Sequence, residues 1–346
     1  MGHDTRRQLV TGGSGYFGSL LARILLARGE SVRVLDLHDA DDRPDEVEFQ
    51  QGDVRSLDFC RRACAGMDTV YHCVAQVPLV KNKQLIWSVN RDGARTLLDA
   101  ALKEGVRKVV FLSSSAVYGV PRFLPITRRT PPAPAEVYGA AKLAGERECE
   151  EFIRRGLDVT IVRPRTILGH GRLGIMQIVF EWVAQGRDVF VLGRGDNLYQ
   201  FVHADDLADA CIRAAARSGP AVYNIGAARF GTIRETLEGL VAHAGSRSKV
   251  RSLPSRPAIM AMKLSNRLRL SPLASYHWLV YGENVYFDAS EARDELDWSP
   301  RWGNVEMFTQ SYDWYVAHRA EILRTKGASP HRSAVKQGVL SLLRWI

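Results

Sequence analysis

Tyr138 and Lys142 stand four residues apart in Tyr138-Gly139-Ala140-Ala141-Lys142. On a helix that spacing projects both side chains from one face, so a phenol and an ammonium can reach into the same cleft. Upstream, an apolar run ends in Phe111-Leu112-Ser113-Ser114-Ser115-Ala116-Val117-Tyr118-Gly119, which sets hydroxyls at the carboxyl end of a strand. A tyrosine, a lysine and a serine converging on one point suit proton transfer between an alcohol and a carbonyl. The lysine charge lowers the phenol pKa toward the working pH, so Tyr138 can take a proton in oxidation and return it in reduction. Ser114 would hold the substrate oxygen by a hydrogen bond while a hydride moves. Taken singly, these are an ordinary helix surface and an ordinary turn. Their occurrence together, in order after a glycine motif, carries the reading.

That motif is Thr11-Gly12-Gly13-Ser14-Gly15-Tyr16-Phe17-Gly18, placed after a first apolar run and opening an amphipathic stretch. The glycines permit a tight turn and let the backbone approach a pyrophosphate, which would rest on the free N–H groups and positive end of the helix. An ordinary glycine-rich strand-to-helix turn is the bland alternative. Gly12, Gly15, Tyr16, Phe17 and Gly18 are the expected cofactor contacts. Asp36 ends the second run 18 residues beyond Gly18, near the roughly 20 expected of a carboxylate on the adenosine ribose. An acid there favours a free 2′-hydroxyl, hence NAD over NADP, with His38 and Arg43 as nearby cations arguing the other way. Asp53, in Gly52-Asp53-Val54, could accept from the adenine amino group or serve, as Ser56 or Asp58 also could, as a helix N-cap.

Elements must hold these residues together, and the first half of the chain alternates short β-branched runs with longer amphipathic ones. Strands are expected at 8–11, 31–36, 46–50, 69–72, 108–113 and 158–163, and helices at 17–28, 57–65, 90–104 and 138–155. That alternation is the mark of βαβ units and a doubly wound parallel sheet, an α/β fold of Rossmann type. Beyond Pro164 a helix at 175–185, a strand pair near 189–192 and 199–203, and a helix at 204–216 are expected. They read as a smaller, partly interleaved substrate domain. The expected organisation is a nucleotide-binding domain over 1–165, with segments near 199–226 returning to it, a substrate region over 166–318 and a basic amphipathic tail over 319–346.

The 346 residues are 46% apolar, ample for a buried core. The five cysteines are odd in number and mostly sit among apolar residues, which does not resemble a disulfide framework and favours a reducing cytoplasm. Cys60 and Cys64 could share a helix face, but no histidine or carboxylate cluster completes a zinc set, so no metal site is expected. The start MGHDTRRQLV lacks the apolar core of a signal peptide, and no run is long and apolar enough to span a bilayer. The net charge of +9 concentrates in two places. The span 249–269 holds Lys249, Arg251, Arg256, Lys263, Arg267 and Arg269 without an acid. The tail holds Arg319, Arg324, Lys326, Arg332, Lys336 and Arg344 against Glu321 alone. No recognition helix or stacking platform supports nucleic acid as the partner; a phosphorylated substrate or an anionic membrane fits better.

With TGGSGYFG, SSSAVYG and YGAAK in this order, the chain resembles the extended short-chain dehydrogenase/reductases, which include nucleotide-sugar epimerases and dehydratases and 3β-hydroxysteroid dehydrogenases. The resemblance spans residues 8–318 and extends to Val70-Tyr71-His72-Cys73-Val74-Ala75, Asn90, Arg163-Pro164-Arg165-Thr166-Ile167-Leu168-Gly169, Phe201-Val202-His203-Ala204-Asp205-Asp206 and Tyr223-Asn224-Ile225-Gly226. It implies Ser114, Tyr138 and Lys142 as the catalytic set. It also implies cofactor contacts at Asp53, Val54, Val74, Ala75, Tyr138, Lys142 and Pro164, besides those of the glycine turn and Asp36. Substrate contacts are expected at Ser115, Arg165 and Tyr199.

Departures from the family pattern narrow the reaction. Sugar 4,6-dehydratases carry an Asp-Glu pair after the catalytic threonine, where this chain has Ser115-Ala116, so dehydration is disfavoured. Epimerases usually carry an asparagine and an arginine on the nucleotide diphosphate where this chain has Arg165-Thr166 and Tyr199. Arg165, Arg172 or Arg194 could replace them as phosphate ligands. At the C-terminus Val335, Val339, Leu342, Leu343 and Ile346 fall on one helix face, which suits either a membrane interface or docking on protein. The expected activity is an NAD-dependent oxidation and reduction of a secondary hydroxyl, giving a 4-epimerase of a nucleotide- or lipid-linked sugar. The alternative is a dehydrogenase or ketoreductase of a sugar-like or sterol-like alcohol. A non-catalytic cofactor-binding regulator would keep the fold but tolerate Tyr138→Phe. The resemblance also implies a homodimer paired through the helices near 90–104 and 138–155.

Overall fold

Parallel strands are covered on both faces and therefore read as continuous apolar runs. Thr69–His72 and Val159–Pro164 are buried at every position. The computed structural model describes residues 6–78, 80, 82–172, 174–268 and 280–324. Seven strands form its main sheet: β1 (Arg7–Thr11), β2 (Ser31–Asp36), β3 (Glu48–Gln51), β4 (Thr69–His72), β5 (Lys108–Leu112), β6 (Val159–Pro164) and β11 (Ala221–Ile225). Their order is β11-β6-β5-β4-β1-β2-β3, and every pairing is parallel. The sheet is doubly wound, as expected. Helices α1 (Tyr16–Ala27) and α7 (Ala204–Ala216) cover one face with Leu21, Leu25, Leu207 and Ala208. Helices α2 (Leu57–Cys64), α4 (Ala94–Lys103) and α5 (Val137–Arg154) cover the other with Cys60, Leu97, Cys149 and Phe152. β1 has β2 on one side and β4 on the other, so the strand order reverses beside the glycine turn. Ligands bind in the crevice at such a switch point.

Several boundaries differ from expectation. The third strand lies at Glu48–Gln51 rather than 46–50, and the fifth ends at Leu112, one residue before the serine run. The helix expected at 90–104 is two pieces, a π-helical turn Ser88–Gly93 and α4, and it continues from a short α3 (Lys83–Trp87) that was not expected. The reason lies in Asn90, whose amide donates to Gln76 O at 2.9 Å and accepts from Gln76 N at 2.8 Å. Gly93 passes so close to Val54 that a Cβ there would lie 2.7 Å from its Cγ1. The wide turn accommodates both contacts.

The strands near 189–192 and 199–203 exist but do not pair with each other. β8 (Val189–Leu192) pairs with β13 (Val250–Leu253); β9 (Leu198–Tyr199) pairs with β12 (Gly231–Thr232); and β10 (Phe201–His203) pairs with β7 (Thr166–Leu168). Gln200 breaks the run because its buried amide donates to Ala227 O and accepts from Phe287 N. These ladders and the helices α6 (Met176–Ala184), α8 (Ile233–His243), α9 (Ser255–Arg267), α10 (Ser290–Leu296) and α11 (Asn304–Arg324) complete the described structure. Around the three ladders a second core gathers Phe180, Phe201, Phe308 and Tyr315. Residues 319–324 of the expected tail belong to α11, while Val335, Val339, Leu342, Leu343 and Ile346 lie outside the described residues. No described helix is long and apolar enough to cross a membrane.

Candidate active site

The carboxyl ends of β1, β2, β4, β5 and β6 open into one cavity of about 1080 Å³. At one end is the glycine turn. Gly12 takes a φ of 72°, and a Cβ on it would lie 2.9 Å from Val74 N. A Cβ on Gly18 would fall 2.2 Å from Gly12 O. Only glycines allow α1 to start this close to the strand. The helix begins on Gly15 with no side chain accepting from its first-turn amides and no acid in that turn, which leaves N–H groups available to an anion. Asp36 accepts from Ser14 N at 3.0 Å and Leu37 N at 2.7 Å, tying the end of β2 to the turn. Burial raises its carboxyl above the usual range, opposed by those two amides.

Asp53 accepts from Arg55 N at 2.9 Å and pairs with the Arg55 guanidinium, which holds its carboxyl below the usual range. The N-cap of α2 is Ser56. Asp53, Val54, Val74, Ala75 and Pro164 all line the cavity. Phe17 also contributes to the lining, although its ring packs into the α1 core.

At the other end the first turn of α5 meets the 3₁₀ turn Ser115–Tyr118. Glu136 caps α5 by accepting from Tyr138 N at 2.7 Å and Gly139 N at 2.6 Å. A Cβ on Gly139 would lie 2.4 Å from Ala116 O, so the glycine is what allows this approach. Ser114, Ser115, Tyr138 and Lys142 thereby line the same cavity as the glycine turn. Ser114 Oγ accepts from Ala116 N at 3.2 Å. Ser113 is turned elsewhere, its hydroxyl donating to Glu146. Lys142 is 1% exposed, donates to Leu112 O at 2.6 Å and lies 4.6 Å from the Phe111 ring centroid. Burial lowers its pKa to about 8, against the opposing pull of Cys149 and Glu146. It therefore keeps its proton at neutral pH.

Behind these groups Glu146 binds Arg163 through both carboxylate oxygens, and Arg163 donates to Tyr118 OH at 2.7 Å. Tyr118 in turn donates to Asn224 Oδ1 at 2.9 Å. This buried chain links α5, β6, the 3₁₀ turn and β11.

Tyr199 was expected at the substrate and is not in the cavity wall. It is fully buried, its hydroxyl 3.1 Å from Thr166 Oγ1 and its ring stacked on Tyr281 at 5.6 Å. The aromatic ring suits this apolar slot, and Tyr281 stands in the wall instead.

A profile of the NAD dependent epimerase/dehydratase family matches residues 8–226. The chain belongs to that family. It is an NAD-dependent enzyme of the extended short-chain dehydrogenase/reductase type. It is 50% identical to an uncharacterized protein of Sinorhizobium fredii, over 99% of this chain and 87% of that one. It is 29% identical to the UDP-glucose 4-epimerase of Mycolicibacterium smegmatis, over 89% of this chain and 98% of that one. Among solved structures it resembles the Thermus thermophilus UDP-glucose 4-epimerase in complex with NAD, with a TM-score of 0.72 and 27% identity over 90% of this chain and 99% of that one.

The donor set fits the family's cofactor. Besides the open first turn of α1, Ser14 Oγ is buried in the glycine turn without a hydrogen-bond partner, the kind of orphan a bound ligand satisfies.

Arg172, one of the arginines expected as phosphate ligands, lines the cavity with its guanidinium over the Tyr16 ring at 5.1 Å, and burial lowers its pKa. Other wall residues had no motif to announce them: His170, Tyr281 and, from α11, Trp314, His318 and Ile322 also face the cavity. His170, His203 and Asp205 cluster, but His203 is engaged at both ring nitrogens, by Asp205 N at 3.1 Å and Gln310 Oε1 at 2.6 Å. That engagement leaves His203 no lone pair for a metal.

Proposed function

We propose that this family member is a 4-epimerase that oxidises and re-reduces a secondary hydroxyl of a nucleotide- or lipid-linked sugar, with Ser114, Tyr138 and Lys142 as its catalytic residues. The observation that carries the reading is the convergence of these three side chains on the cavity that also holds the glycine turn. Bound NAD supplies the hydride acceptor and donor. Tyr138 takes the hydroxyl proton as the carbon is oxidised and returns it when hydride comes back to the opposite face. Lys142, charged at neutral pH, favours the phenolate that must be present before that proton is taken and is restored once it is returned. Ser114 retains an O–H that can donate to the substrate oxygen. Gly12, Gly15, Tyr16, Phe17, Gly18 and Asp36 would hold the cofactor at one end, with Asp53, Val54, Val74, Ala75 and Pro164 along its length.

Ser115 and Arg165 are the proposed substrate contacts. Arg165 is 2% exposed, lies 4.8 Å from the Tyr199 ring, donates through Nε to Gln200 O and leaves Nη2 without a partner. Among the described residues no carboxylate pairs with Arg165 or Arg172. A buried guanidinium without an anion is unfavourable, and a phosphoryl oxygen of the substrate would complete it. Full-length similarity to the UDP-glucose 4-epimerase of Mycolicibacterium smegmatis favours epimerisation. A net dehydrogenase is favoured instead by 29% identity, over 90% of this chain, to the 3 beta-hydroxysteroid dehydrogenase/Delta 5-->4-isomerase of Mycobacterium tuberculosis.

Purification separates the two readings. An epimerase retains NAD, identified by mass spectrometry, and converts nucleotide sugars with none added, whereas a dehydrogenase changes the absorbance of added cofactor. Tyr138→Phe removes the proton relay and lowers either rate by about 10²–10⁴-fold. Unchanged turnover in that variant overturns the catalytic assignment. Pairing of two copies through α4 and α5 belongs to the same proposal and is read by light scattering.

A further inference from the structure

α9 turns an apolar stripe outward. Met260, Leu264 and, just past the helix end, Leu268 are 70%, 59% and 57% exposed. Spaced at i, i+4 and i+8, they lie along one line, and the exposed Pro257 and Ala261 widen it. Ser255, Ala258, Ile259, Met262 and Ser265 form the half-buried side. At helical periodicity Arg256, Lys263 and Arg267 fall together along one flank of the stripe, and all three are exposed. The surrounding span from Lys249 to Arg269 holds six bases and no acid. The helix is anchored at its N-terminal end. β13, which leads into it, is paired with β8, and Gly193 N donates to Leu253 O at 2.8 Å.

We propose that α9 is a membrane-contact helix that lies on an anionic lipid bilayer. Met260, Leu264 and Leu268 enter the boundary of headgroups and acyl chains, while Arg256, Lys263 and Arg267 reach lipid phosphates. An apolar row beside a basic row, with no acid in the span, is the chemistry that an anionic interface selects. A second copy of the chain is a poor occupant, because a two-fold pairing would bring the same uncompensated bases against themselves. None of these residues lines the catalytic cavity, and the inference does not depend on the sugar reading.

The test is flotation of the full-length, cofactor-loaded protein with vesicles of phosphatidylcholine alone or mixed with phosphatidylglycerol. The protein is expected to float with the anionic vesicles, to stay behind with the neutral ones and to be released by high salt. Met260→Asp and Leu264→Asp each lower partitioning by about tenfold or more, with circular dichroism and cofactor affinity unchanged. Three results overturn the proposal. One is wild-type protein that ignores anionic vesicles. Another is α9 variants that float as the wild type does, which assigns the contact to the tail. The third is sedimentation showing a self-association that Leu264→Asp abolishes.

Discussion

Lys142 couples catalysis and stability in opposite senses. Burial lowers its pKa from 10.5 to about 8, which corresponds to roughly 3 kcal/mol against the charged form. Below about pH 8 the folded protein carries this penalty. As pH rises from there toward 10.5 the unfolded chain binds the additional proton, so this group makes the protein more stable with rising pH across that window. Lys142→Met removes the penalty and leaves the Leu112 carbonyl without its donor, at a cost of about 1 kcal/mol. The variant is therefore expected to be inactive yet more stable by about 2 kcal/mol at pH 7 in urea unfolding, and to lose the pH-dependent rise. A destabilised Lys142→Met protein would contradict the burial argument. Tyr138, Lys142 and Ser114 were legible in sequence because each belongs to a short local spacing. Tyr281 and Trp314 were not, because their place in the wall comes from elements far along the chain. Tyr199 was misplaced for the same reason: its position in the motif was clear, but not the ring stack on Tyr281 that draws it out of the wall.

Gly139 shows how an element sets the geometry of a residue. The helix carrying Tyr138 and Lys142 touches the turn after Ser114 through the Gly139–Ala116 approach, where a Cβ would meet backbone at 2.4 Å. Backbone oxygen cannot swing aside as a flexible side chain can, so Gly139→Ala pushes the first turn of α5 off the 3₁₀ turn. A displacement of about 1 Å in such a constellation costs on the order of 10²-fold in rate, and overpacking costs about 1–3 kcal/mol. Activity is expected to fall by that factor while cofactor affinity, to which the undisturbed glycine turn at the other end of the cavity also contributes, falls much less. Equal loss of both would mean that α5 is not the mobile part. Strands β1, β2, β4, β5 and β6 were readable because buried parallel strands are unbroken β-branched runs. β11 was not, since Ala221–Ile225 follows a loose region and joins the sheet only through its pairing with β6. The π-helical turn was equally hidden, because Asn90 bonds to Gln76 across the fold rather than along the helix.

The whole molecule closes its cavity with a helix from the far end of the chain. α11 contributes Trp314, His318 and Ile322 to the wall. It is held to α6 by Glu181, which accepts from Arg319 Nε at 2.8 Å, Arg319 Nη2 at 2.7 Å and Tyr315 OH at 2.6 Å. Burial raises the Glu181 carboxyl, but the bonds from Arg319, Tyr315 and Gln185 outweigh it and hold the group below its usual pKa. The stability it confers is thus full above the unfolded carboxyl value of 4.5 and is lost as pH falls through the lower folded value. Arg319→Gln removes the cation and both of its present bonds from a buried carboxylate, loosening α11 without touching the glycine turn or α5. The KM for the substrate is expected to rise several-fold, with NAD affinity preserved and acid unfolding beginning at a higher pH. Measuring KM, cofactor affinity and the acid midpoint on one preparation separates this from general destabilisation, which would weaken NAD binding as well. An unchanged KM would mean that α11 lines the cavity without helping to hold what binds there.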